Sequence, residues 1–423
     1  MDIDDLVLVS IDDHVIEPPD MFAGHVPARW REAMPTVVND GGGEHWMFQG
    51  RRSGTMGLNA VVGWPKEEWG FDPATFDQVR PGAHQASARI RDMDRNGVFG
   101  SMCFPTFPGF SGRHLTGAPD KDLALVAIKA YNDWHIDEWA ASSPGRIIPL
   151  AILPTWDGEL AAEEVRRVAS KGARGVSMPE LPHVEDLPSY HDLGFWGPTF
   201  SALSETGVVM CLHIGQGFAA INGAPGAPID NLIILATQVS TFAAQDLLWG
   251  PAFRGYPDLK VAWSEAGIGW IPFYLDRCDR HFTNQQWLHH DFGGQLPSEV
   301  FRDHSLACYV TDPVALKVRA DIGIDIIAWE CDYPHSDCIW PDAPEHVMAE
   351  MVGAAVPDQE INKITWENAC RFFNWDPFVA VPKDRATVGA LRAGATDVDV
   401  SVHSRVEWAE LNRSRRQATD PAF

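Results

Sequence analysis

The stretch LVLVSIDDHVIEPP (Leu6–Pro19) begins as an apolar run and ends in two acids, a histidine, a glutamate and two prolines. Its first half has the continuous hydrophobicity of a strand buried on both faces. Side chains alternate along a strand, so Asp12 and His14 share one face and Asp13 takes the other. A carboxylate and an imidazole then project together from the end of a buried strand. A buried carboxylate is costly alone, and a cation is one remedy. A hydrogen-bonded Asp–His pair or an ordinary loop is the other.

Seven further runs resemble Leu6–His14. They are Val98–Pro105, Ile147–Pro154, Gly175–Pro179, Val208–Gly215, Leu259–Ala266, Ala307–Thr311 and Ile324–Asp332. Between them lie segments with apolar residues at helical spacing, among them LALVAIKAYNDWHIDEWAASS, IPFYLDRCDRHFTN and DQEINKITWENACRFFNW. GELAAEEVRRVASKG adds Asp157 as an N-cap and a closing Gly172. Eight strands alternating with helices predict a (β/α)₈ TIM barrel, with active-site residues at the C-terminal strand ends. A doubly wound open sheet is the alternative, but no GxGxxG follows an early strand. Two parts exceed a minimal barrel spanning residues 1–380. Residues 18–85, rich in Gly, Pro and Trp, form an insertion after strand one, expected over the barrel mouth. Residues 381–423 form a polar tail, either an oligomer arm or loosely ordered.

The 423 residues are 45% hydrophobic and carry a net charge of −25. Such a surface repels nucleic acid and anionic membrane, so neither is expected as a partner. No 18-residue apolar window suits a membrane helix, and the acidic start MDIDDLVLVS lacks the basic flank of a secretory signal. Seven scattered cysteines without a CxxC pair fit reduced thiols in a cytoplasmic enzyme.

Two other strand ends carry chemistry like that of Asp12 and His14. His213 ends VVMCLHIG, and Asp332 ends the last strand in IIAWECDYPHSDCIWP, followed by His335. Each alone fits a satisfied core residue. Together, strands one, five and eight place carboxylates and imidazoles at one end of the predicted barrel. Mixed N/O ligation suits zinc, manganese or iron. A competing structural-zinc set, Cys331, His335 and Cys338, offers only three ligands from one short stretch.

These motifs resemble the amidohydrolase superfamily, in its aminocarboxymuconate-semialdehyde decarboxylase-like branch (amidohydrolase family 2). The resemblance runs from Leu6 to Trp375 through SIDDHVIEPP, GVSMP, LHIG, WSEAGIGWIPFYLDRCDRH, CDYPHSD and NACRFF. It implies a distorted (β/α)₈ barrel with one divalent metal, zinc favoured over Mn²⁺ or Fe²⁺, and a homodimer. Family metal positions fall on Asp12, His14, His213 and Asp332. The usual first pair in the family is His-x-His, or a glutamate in place of the first histidine in some decarboxylases, so Asp-x-His departs from it and His14 is the firmer ligand of the two. The decarboxylases carry a histidine after strand six; here the position falls near Glu265 in SEAGIGWIP. Glu265 is then a base, a further ligand, or merely a residue placing the helix start at GIGW. His335 is expected to orient a ligand or touch substrate. Glu17 would reach the site or pair with an arginine of the insertion, and Glu330 would pair with Arg174.

The leading expectation is a metal-dependent hydrolase acting on a small organic molecule. Its catalytic residues would be Glu265, Asp332 and His335, and it would cut an amide, an ester or a ketone-adjacent C–C bond with activated water. The second is a non-oxidative decarboxylase of an aromatic or dienoic acid, against which the missing strand-six histidine counts. Arg51 and Arg52 are candidates for a substrate carboxylate there. The third is a non-catalytic ligand-binding barrel. Of the seventeen tryptophans, Trp46, Trp64 and Trp196 either line an apolar pocket or pack the core.

Overall fold

The structure is a computed structural model and describes residues 1–53, 56–70, 73–217, 220 and 224–419. The chain forms two compact units, each assembled from separated segments. One comprises residues 2–149, 331–346 and 377–423; the other comprises residue 1 with 150–330 and 347–376.

In the first unit, strand β1 (Val9–Val15) opens the chain's core and is wholly buried. The insertion follows, with a small antiparallel sheet of β2 (Thr36–Asn39), β3 (Glu44–Phe48) and β4 (Arg51–Arg52). Helix Ala86–Asn96 then leads into β5 (Gly100–Pro105), which pairs in parallel with β1 and with β6 (Ile147–Ile148). Gly97 closes that helix at φ 74°, a left-handed conformation that costs glycine little. The register of β1 on β5 shifts between Ser10 and Asp13. This irregularity falls where the strand turns from apolar to charged.

The other unit holds a six-stranded parallel sheet in sequential order. Its strands are β7 (Leu150–Ile152), β8 (Gly175–Met178), β9 (Val209–His213), β10 (Val261–Ser264), β11 (Ser305–Tyr309) and β12 (Ile327–Trp329). Such all-parallel strands are buried on both faces, which is why they read as unbroken apolar runs. Helix Gly158–Ser170 begins where expected: the Asp157 carboxylate accepts the Glu159 and Leu160 N–H groups at 2.9 and 3.1 Å. Helix Ile271–Asn284 matches its predicted bounds. Among the described residues no single helix is long and apolar enough to cross a membrane.

All eight predicted strands form, but three details differ. Ile147–Pro154 is two short strands, because Pro149 has no N–H for the ladder. The helices at Lys121–Ala140 and Asp358–Phe372 are continuous but contain π-helical stretches at His135–Ala140 and Lys363–Glu367. The last strand stops at Trp329, short of the predicted Asp332, which sits at φ 58°. Strand alternation therefore does not carry from Glu330 to Asp332.

Candidate metal centre

Asp12 and His14 lie at the charged end of β1 with essentially no solvent exposure. The segment after β12 comes back to them: the Asp332 N–H donates to the Asp12 carbonyl at 2.8 Å, and the His14 N–H to the Tyr333 carbonyl at 2.7 Å. His14 Nε2 then faces Asp12 Oδ1 at 3.5 Å and Asp332 Oδ1 at 3.3 Å. His335 stacks against His14, ring centroids 3.9 Å apart, and its Nδ1 lies 2.8 Å from Asp332 Oδ1. His14, Asp332 and His335 offer ligand atoms all within 4.8 Å of one another, all buried.

Ligands sharing one ion at about 2.1 Å lie roughly 3.0–3.4 Å apart, close to the His14–Asp332 and His14–Asp12 separations. The His335 Nδ1–Asp332 Oδ1 separation, 2.8 Å, is shorter than that range. The donor set of carboxylate oxygens and imidazole nitrogen fits a divalent zinc, manganese or iron ion. Phe104 and Phe110 lie beside the His14 ring, at centroid distances of 6.1 and 5.0 Å, and make this an apolar setting in which paired charge is strengthened.

Beneath the cluster, Asp13 points away as alternation predicts. Its carboxylate accepts from the Ser10 hydroxyl at 3.2 Å and the Tyr333 N–H at 2.9 Å, and from the Ser101 hydroxyl. Burial pushes its pKa up to about 6 despite nearby Arg89. Arg89 is itself fully buried, bonding the Gly82 carbonyl at 2.7 Å and the His14 carbonyl.

In the other unit, His213 ends β9 and Glu265 follows β10. His213 Nδ1 donates to the Ile214 carbonyl at 2.6 Å, which places the acceptor lone pair of the neutral ring on Nε2. That Nε2 lies 3.5 Å from Glu265 Oε2. A lone pair facing a carboxylate at this distance suits a shared cation or proton.

Several expectations change. Glu17 accepts the Thr106 and Phe107 N–H groups at 3.0 and 2.8 Å rather than an arginine, and burial raises its pKa to about 7. Arg51 bonds the Gly117 carbonyl and Arg52 the Asp40 carboxylate, so both are engaged elsewhere. Cys331 and Cys338 are free thiols with sulfurs 3.6 Å apart, while His335 turns to Asp332, so the C-x3-H-x2-C set does not assemble. Trp46 stacks on Phe107, Trp64 packs with Val61 and Trp408, and Trp196 with Tyr190; these three are core. Glu330 meets the Glu265 backbone rather than Arg174, a link across β11 that linear reading had no means to expose. A surface groove of about 570 Å³ lined by Trp249, Phe273, Tyr274 and Arg277 contains none of these site residues.

A model of the amidohydrolase family matches residues 18–375, most of the chain. The chain belongs to the amidohydrolase family. Its fold is a distorted (β/α)₈ barrel with a C-terminal extension, shared with solved members. An amidohydrolase from Mycobacterium avium subsp. paratuberculosis K-10 superposes with a TM-score of 0.67 at 20% identity, over 87% of this chain and 99% of that one. A dihydroxybenzoic acid decarboxylase from Polaromonas sp. JS666, with bound manganese and the inhibitor 2-nitroresorcinol, gives a TM-score of 0.57 at 18% identity, over 87% and 97%. In sequence, the chain is 23% identical over 304 residues to γ-resorcylate decarboxylase of the same Polaromonas strain, covering 67% of this chain and 86% of the relative. The family and the buried His/Asp cluster are those of a metal-dependent enzyme.

Proposed function

We propose that this amidohydrolase is a metal-dependent, non-oxidative decarboxylase of a small aromatic acid. The observation that carries this reading is the match along 86% of γ-resorcylate decarboxylase. It reverses the order of the two expectations drawn from the sequence, where hydrolysis led. The proposed ligands are Asp12, His14, His213 and Asp332. Supporting them are the buried spacing of Asp12, His14 and Asp332 and the tautomer of His213, which puts its acceptor nitrogen at Nε2. Manganese is proposed in place of zinc, because it is bound in the Polaromonas structure.

A bound divalent ion would supply positive charge to the substrate carboxylate and a neighbouring ring oxygen. The protein's own groups do the rest. Glu265, in its acid form, delivers a proton to the ring carbon that bears the carboxylate. The pair of electrons in the breaking C–C bond returns to the ring, restoring its aromaticity as carbon dioxide departs, and the new C–H bond stands where the carboxylate was. Glu265 then regains a proton from water. His335, whose Nδ1 lies 2.8 Å from Asp332 Oδ1, would orient that carboxylate beside the ion.

A second reading, hydrolysis, is favoured by one observation: the group beside His213 is a carboxylate, able to take a proton from water. Manganese-loaded protein offered 2,6-dihydroxybenzoate and other hydroxybenzoic acids separates the two. Carbon dioxide release, with one deuterium on the ring in D₂O, supports the decarboxylase. No turnover of these acids, with hydrolysis of esters or amides instead, refutes it.

A further inference from the structure

Glu265 lies at φ 56°, a left-handed backbone that is strained for a non-glycine residue. Something must hold it there. Glu330, wholly buried just past β12, accepts the Glu265 N–H through Oε1 at 3.0 Å. Its own N–H donates to the Tyr309 carbonyl at the end of β11, 3.1 Å away, so Glu330 is fixed to the intervening strand. On the other side of the turn, Asp312 Oδ2 accepts the Ile268 and Gly269 N–H groups at 3.2 and 2.9 Å. The turn Glu265–Gly269 is thus gripped at both ends by carboxylates from other strand ends. Asp312 thereby secures the turn that leads into helix Ile271–Asn284. The Glu265 carboxylate is presented to His213, its Oε2 3.5 Å from Nε2.

We propose that Glu330 is a positioning residue: by holding the Glu265 amide, it keeps the Glu265 carboxylate aimed at His213. This rests on Glu265 being the proton carrier proposed above. Only an acceptor is required at Oε1, so Glu330→Gln preserves the grip and Glu330→Ala releases it.

The test uses manganese-loaded full-length protein: wild type, Glu330→Ala, Glu330→Gln and Glu265→Gln. Two readouts are taken, steady-state kinetics on 2,6-dihydroxybenzoate or whichever hydroxybenzoate the wild type turns over, and hydrogen exchange of the peptide covering Ser264–Gly269. Glu330→Ala should lower kcat about 10- to 100-fold with KM within about twofold, the cost of a misaimed group. Exchange at Glu265 should quicken, and Glu330→Gln should restore both. If Glu330→Ala keeps wild-type kcat and exchange, the proposal is overturned. If it exchanges faster at unchanged kcat, the link is structural and the positioning role is overturned. If Glu330→Ala does not fold, a Glu330→Gln protein with lost kcat and fast exchange overturns it too. If Glu265→Gln turns over normally, the proton-carrier reading fails, and exchange alone then judges whether Glu330 sets the turn.

Discussion

His14 faces two carboxylates through one nitrogen, which makes it the residue most sensitive to the absence or presence of a cation. His14→Ala purified without chelator should retain at least about tenfold less divalent metal than wild type, by elemental analysis. His335→Ala should lower metal affinity by less than His14→Ala does, in the same elemental analysis. Glu17 and Glu180 give a test in pH. Burial raises the Glu17 carboxyl to about 7 and that of Glu180, fully buried and bonded to the Gly217 N–H and Ser240 hydroxyl, to about 8. Both lie above the ordinary value of 4.5, so the folded state holds these protons more tightly than the unfolded chain. Their stabilising contribution is complete below about pH 4.5 and is lost as pH rises through 7 and 8. Melting temperature should therefore fall over that range, and Glu17→Gln and Glu180→Gln should flatten the fall. The individual ligand candidates were legible because a charged residue stands out at the end of an apolar run. The partners of Glu17 and Glu330 were not, since both are chosen by backbone amides whose position depends on the folded turn.

At the level of elements, the sequence announces caps and breaks more reliably than it announces where a strand stops. Asp157 was identifiable as an N-cap because a side-chain acceptor there meets orphan N–H groups at the helix start. Asp157→Ala should cost about 1 kcal/mol, measured by urea unfolding. The end of β12 was not identifiable, because Glu330, Cys331 and Asp332 keep the polar–apolar alternation of a strand while the backbone turns at Asp332, φ 58°. Helix-to-helix closeness also hides in the sequence. A Cβ at Gly158 would lie 1.9 Å from the Phe195 carbonyl oxygen, on the neighbouring helix. Gly158→Ala should therefore destabilise the protein by more than about 2 kcal/mol, or prevent its soluble expression.

For the molecule as a whole, the alternation of strands and helices was enough to indicate the barrel class, but the tail's place was not. Helix Arg405–Thr419 packs within the first unit against the insertion. Trp408, 1% exposed, donates to the Gly63 carbonyl, and Asn412 donates to the Asp77 and Val79 carbonyls. The insertion in turn donates the Val61 and Val62 N–H groups to the Pro334 carbonyl, one residue before His335. Trp408→Ala should cost about 3–5 kcal/mol, and should loosen metal retention as well as lower the melting temperature. Unchanged metal retention at equal folding would show that the tail supports the insertion alone. The unit that holds Asp12, His14, Asp332 and His335 closes across a long span of chain: the Tyr333 N–H meets Asp13 Oδ1 over a separation of 320 residues. A ribosome adding 5–20 residues per second needs roughly 15–60 s to make that span. For all that time the strand that carries Asp12 and His14 waits without Asp332 and His335, so the cluster cannot be assembled while the first half of the chain is being made.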